Sequence, residues 1–196
     1  MTPAVLVASI DAGDAIEVNP SEPLAALDLL APKPPSVVVP VLHVFALMTL
    51  VRGAESYLYP DPFSKPKYFG DHYEEAFSKP PIFDASKPAF RWDGDPLSIN
   101  VVGHGLYGSE FYLRARQCRW GPIGSFAFAA ATSAVWEYAF EGNGVRPSLQ
   151  DLVYTPAAGI VLGEGRYQLY RLTKSRVLRA IADPFGEIER AAGTGC

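Results

Sequence analysis

The chain has 196 residues, 48% of them hydrophobic and 19% charged, and carries a formal net charge of −4. That length holds one domain with a full hydrophobic core. The acidic balance argues against a nucleic-acid binder, which needs a basic surface to displace counterions from phosphates. The low charge content sits on the border between soluble and membrane-associated proteins.

Residues 1–35 read as a weakly structured arm and linker, rich in Ala, Pro and acidic residues, with room for a short helix at 22–30. Asp11, Asp14 and Glu17 interrupt any apolar stretch, so the start is a poor signal peptide. A single helical domain is expected over 36–190, with 191–196 as tail. Its first helix, at about 37–57, is uncharged between Lys33 and Arg52. A membrane span needs about 20 apolar residues, so this segment reads as a borderline span or an interfacial helix. His43 is its one polar interruption and is expected to face the bundle.

Residues 59–96 are dense in Pro, Asp, Lys and aromatics, a composition that forbids long helices. The pattern predicts a long surface loop around a short helix at 70–77, with His72 solvated. Helices follow at about 96–118, 122–141, 148–172 and 174–182. Asp93 or Asp95 is a candidate cap for the first of these. Gly121-Pro122 opens the second, and Ser148 with Asp151 caps the third. The stretch Gly121–Trp136 is uncharged and rich in small residues, as close helix packing requires. Gly159 and Gly163 read as a packing groove, and Gly108-Ser109 as a small packing step. The fold class is therefore all-α, a four-helix-type bundle in or against a membrane.

Cys118 and Cys196 are too few for a disulfide framework, and no Cys-x-x-Cys occurs. They read as one partly buried thiol and one tail residue.

Several motifs recur at fixed spacing: Arg91-Trp92-Asp93; His104 with Gly108 and Ser109; Ala115-Arg116; Ser133, Trp136, Glu137, Tyr138 and Glu141; Pro147, Ser148, Asp151 and Leu152; and Thr155, Gly159, Leu162, Gly163 and Glu164. In this order they resemble a bacterial family, domain-of-unknown-function family 3943, over roughly residues 37–190. The chain departs from that pattern at Gly105, where the family carries Pro, and at Ala158, where it carries Gly. The resemblance implies an envelope-associated helical domain and no established activity.

Helical spacing puts Asn100, His104 and Gly108 on one face, Ser133, Glu137 and Glu141 on a second, and Asp151 and Thr155 on a third. Antiparallel packing brings those stripes together. Read as a site, His104, Glu137 and Asp151 are the catalytic candidates. Asn100, Ser109, Arg116, Glu141 and Glu164 are the substrate-binding candidates, with Arg116 or Arg166 on an anion such as a lipid phosphate. Read as structure, the same residues form a buried network that fixes helix register. Glu164 is expected to pair with an arginine of another helix, Arg114 or Arg116. No metal and no cofactor is expected, because the ligand spacing matches no standard pattern. The leading function is a membrane-associated envelope protein with a structural or interaction role, its partners membrane lipids and an unidentified envelope protein. The alternative is a lipid- or envelope-modifying enzyme.

Overall fold

The structure is a computed structural model, and it describes residues 34–196. The expected arm and its short helix lie outside the described residues. Among those residues the secondary structure is helical, with one isolated parallel bridge between Ile82 and Ser148. The helices are α1 (Val38–Leu58), α2 (Phe69–Ser78), α3 (His104–Gln117), α4 (Pro122–Val135), α5 (Leu149–Ala158), α6 (Glu164–Leu172), α7 (Arg176–Ala182) and α8 (Pro184–Ala191). The all-α expectation holds at that level.

Three wide turns, with π-helical bonding, interrupt what reads as regular helix in the sequence. Ser98–Gly103 leads into α3, Trp136–Phe140 extends α4, and Gly159–Gly163 joins α5 to α6. Such turns commonly mark functional positions in helices. Here they carry Asn100, Glu137 and Gly159.

Helix α3 is the centre, and every residue from Gly108 to Ala115 is buried. It packs against α4, α5, the Gly159–Gly163 turn, α6 and α1. Val44 and Met48 of α1 meet Phe111, Tyr112, Ala129 and Trp136 in the main apolar cluster. Small residues set its closest approach to α5. A Cβ on Gly108 would lie 1.9 Å from the Thr155 carbonyl oxygen, and one on Gly159 would lie 2.7 Å from the Gly108 carbonyl oxygen. Both neighbours are backbone and cannot swing away. Gly108→Ala is therefore expected to force α3 and α5 apart and to cost about 1–3 kcal/mol, the usual range for overpacking. Chemical denaturation of the variant measures this, and an unchanged midpoint would show that the helices do not touch there.

The capping chemistry expected for the 148–172 segment is present, with the Ser148 hydroxyl accepting from the Asp151 N–H at 3.3 Å. Asp93 and Asp95 do not cap the helix after them. Asp93 instead accepts from the Asn100 side chain at 2.8 Å and the Ser148 hydroxyl at 2.7 Å. The Pro-rich loop is thereby tied to the start of α5. His72, expected in solvent, is half-buried against the Asn143 carbonyl at 2.7 Å.

The C-terminus also departs from expectation. Pro184–Ala191 is helix, opened by Asp183, whose carboxylate accepts from the Gly186 N–H at 3.0 Å. Cys118 and Cys196 are joined in a disulfide across 78 residues. The expected free tail is thus fastened to the end of α3. Two cysteines far apart in sequence carry no local signal of their pairing, which only the return of α6–α8 along α3 creates.

Candidate functional site

His104, Glu137 and Asp151 come from α3, the wide turn after α4, and α5. The loop between Phe140 and Leu149 is short, so the second and third are brought side by side. One donor atom from each lies within 4.8 Å of those of the other two. All three are buried, at 7%, 1% and 3% exposure. His104 Nδ1 meets the Thr155 hydroxyl at 2.9 Å, and Nε2 faces Asp151 Oδ2 at 3.7 Å. Glu137 Oε2 accepts from the Ser148 backbone N–H at 2.8 Å, while Oε1 has no hydrogen-bond partner. Asp151 Oδ1 accepts from the Gln150 amide at 3.3 Å.

Burial dominates the electrostatics here. It lowers His104 to about 4, against a weak opposing pull from Asp93, so the imidazole is neutral. Burial raises Asp151 to about 7, reinforced by the Asp93 charge. Glu137 and Glu141 are both pushed up by burial, with Asp151 adding to each. Asp93 goes the other way. Burial would raise it too, but hydrogen bonds from Ser148, the Asp95 backbone N–H and Asn100 outweigh that and hold it low.

The remaining sequence candidates are distributed differently. Asn100 is fully buried and donates to the Phe90 carbonyl and to Asp93, so it orients the loop beside the three. Ser109 donates to the Leu106 carbonyl at 2.8 Å and accepts from Arg166 at 2.7 Å. Glu164 pairs with Arg116 at 2.8 Å and accepts from the Tyr112 hydroxyl. Arg116 also lies over the Tyr167 ring. Arg116 and Glu164 satisfy each other rather than joining His104.

A second buried network was not foreseen in the sequence. Arg114, 1% exposed, donates to Glu110 and Asp183 through Nη2 at 2.9 and 2.8 Å, and to Glu189 through Nη1 at 2.9 Å. Arg166 donates to the other Glu110 oxygen at 2.7 Å, and Arg190 to Asp183 at 3.2 Å. His43 faces both Glu110 and Glu189, which places it toward the interior as expected. Burial would raise Glu110, but His43, Arg166 and Arg114 outweigh it and pull the carboxyl down to about 2. The available signal was Asp183-Pro184, a cap followed by a first-turn proline.

With this geometry in place, the comparison with known families is specific. The match to the domain-of-unknown-function model DUF3943 covers residues 89–190. The chain belongs to this family. The matched span begins just before Arg91-Trp92-Asp93 and includes all three of His104, Glu137 and Asp151 as well as Arg114, Asp183 and Glu189. The first network is therefore contained in the DUF3943 region, and so is the second apart from His43, which α1 supplies from before it. No curated protein and no solved structure matches the chain significantly.

Proposed function

We propose that this DUF3943 protein is a membrane-associated envelope module with a structural or interaction role, its apolar outer faces turned toward lipid. The observation that carries this reading is an inverted polarity. Helix α4 buries Ser125, Thr132 and Ser133 and exposes Ile123, Phe126, Ala127, Ala131 and Val135. The next segment buries Gln150, Asp151 and Thr155 and exposes Leu149, Val153, Ile160, Val161 and Leu162. Helix α1 buries Arg52 together with Val44 and Met48 and still exposes Val38, Val41, Leu42, Phe45 and Leu50. A water-soluble bundle sorts these residues the other way. Large apolar residues exposed along three helices point to contact with lipid or another protein. Among the described residues, α1 is the one helix long and apolar enough to cross a membrane. Its 21 residues measure ~31 Å at 1.5 Å each, close to the ~30 Å hydrocarbon layer.

The Cys118–Cys196 disulfide supports an oxidising compartment such as the bacterial envelope, since cytosolic thiols are kept reduced. The sealed position of His104, Glu137 and Asp151 favours a structural role over an open-site enzyme. Their convergence within 4.8 Å is the observation that favours the enzymatic alternative, acting on lipid or another envelope component.

Fractionation tests the membrane reading. The expressed full chain is expected to stay in the pellet through carbonate washing, to be released by detergent, and to float with phosphatidylglycerol–phosphatidylethanolamine vesicles. A chain that remains in the carbonate supernatant and runs as a dispersed monomer without detergent would overturn it.

A further inference from the structure

The two buried networks differ in one respect that bears on chemistry. Glu110, Asp183 and Glu189 have Arg114, Arg166 and Arg190 against them. Asp93, Glu137 and Asp151 have no Lys or Arg within ion-pair distance among the described residues, and the one basic group beside them is His104. Two or three buried carboxylates without a positive charge are costly. Protons or a cation must supply the balance.

The atoms point to a cation. His104, Glu137 and Asp151 each have one polar atom held and another turned inward. Thr155 fixes His104 Nδ1 and leaves Nε2 for a ligand. The Ser148 N–H fixes Glu137 Oε2 and leaves Oε1 without a partner in a side chain that is 1% exposed. Gln150 fixes Asp151 Oδ1 and leaves Oδ2 facing His104 Nε2. That 3.7 Å contact is too long for a hydrogen bond, yet it is close to the ~3.4 Å between two donors on one tetrahedral ion. Atoms mutually within 4.8 Å have a common point at most about 2.8 Å from each, against ~2.0–2.2 Å for zinc bonds to nitrogen and oxygen, so a small contraction completes the site. Holding a ligand histidine by its other nitrogen is the usual way that metal sites are oriented.

We propose that His104 Nε2, Glu137 Oε1 and Asp151 Oδ2 bind one divalent transition-metal ion, with Thr155, Ser148 and Gln150 holding the ligands in place. One imidazole and two carboxylates suit Zn²⁺, Mn²⁺, Fe²⁺ or Co²⁺ better than Mg²⁺ or Ca²⁺, which prefer oxygen alone. Two carboxylates neutralise the ion's charge. Three protein ligands leave a fourth coordination position, which a buried water can fill. The proposal departs from the expectation drawn from sequence spacing, since its ligands come from three different helical segments and no local motif announces them.

The test uses the untagged full chain purified in detergent with its disulfide intact. After chelator treatment it is titrated with Zn²⁺, Mn²⁺ and Co²⁺, followed by calorimetry, melting temperature and the visible spectrum of Co²⁺. The expected result is one equivalent per chain, a raised melting temperature and a Co²⁺ spectrum with a nitrogen ligand. Glu137→Gln and Asp151→Asn are expected to weaken binding at least tenfold. Thr155→Val, which keeps the volume and removes only the hydroxyl on His104, is expected to weaken it about 10–100-fold. Absence of a saturable one-equivalent site in the wild-type chain overturns the proposal, as does unchanged affinity in folded Glu137→Gln or Thr155→Val. Because the titration is done in detergent, its outcome is independent of whether the domain partitions to membranes.

Discussion

Arg114→Met is expected to destabilise the folded chain by about 3–5 kcal/mol, the range for breaking a buried ion pair from one side. The side chain is 1% exposed and, among the described residues, is the one group that touches Glu110, Asp183 and Glu189 together. Methionine fills nearly the same volume, so the loss reports charge rather than a cavity. What remains is uneven. Glu110 keeps Arg166, and Asp183 keeps Arg190. Glu189 keeps only His43. Adding Glu189→Gln to Arg114→Met should therefore recover part of the loss, and the two changes should be non-additive as neighbours in one network are. Denaturant unfolding of the four proteins of this cycle in detergent measures the coupling. A single-variant loss below about 1 kcal/mol, typical of exposed pairs, would mean that water reaches the guanidinium.

The difference between the two networks also explains what the sequence disclosed. His104, Glu137 and Asp151 sit at helical spacing from other polar residues, the last two on segments opened by Pro122 and by Ser148, so periodicity and capping go far toward aiming them at one another. Ser109 and Arg116 share α3 with His104 but stand 5 and 12 residues on, so they leave its face and find Arg166 and Glu164, while Asn100 and Glu164 follow wide turns that change the helical phase. Asp93 was visible in the motif Arg91-Trp92-Asp93, yet its task of joining Asn100 to Ser148 depends on how a loop folds back. In the sequence Arg114 reads as a candidate partner for Glu164. Its partners Asp183 and Glu189 are 69 and 75 residues away, on a segment of short helices of seven and eight residues. Local rules reach what is repeated along one helix, and long-range charge pairing lies beyond them.

Opening the Cys118–Cys196 disulfide is expected to cost about 2–5 kcal/mol. Closing a loop of 78 residues removes ~4.5 kcal/mol of unfolded-chain entropy in the simple polymer treatment, and measured values fall around or below that. Here the bridge does a second thing. It holds the end of the chain, just beyond α8, to the end of α3, and α8 carries Glu189 to Arg114. Once the bridge is open, α8 is retained by its ion pairs, by Tyr170, which donates to Glu187 and lies under Arg190, and by the contact of Phe185 with His43. Cys118→Ser, Cys196→Ser and the double variant should therefore melt alike, and all should match the reduced wild-type chain. Their amides and peptide bonds over 184–196 should exchange and cleave faster than those of α3–α5. The cost of Arg114→Met should shrink under reducing conditions, because a partly detached α8 no longer presents a buried carboxylate that needs compensation. Equal costs in oxidised and reduced protein would show that α8 docks without help from the bridge. An unchanged melting temperature on reduction would show that the two sulfurs are not joined in the folded chain.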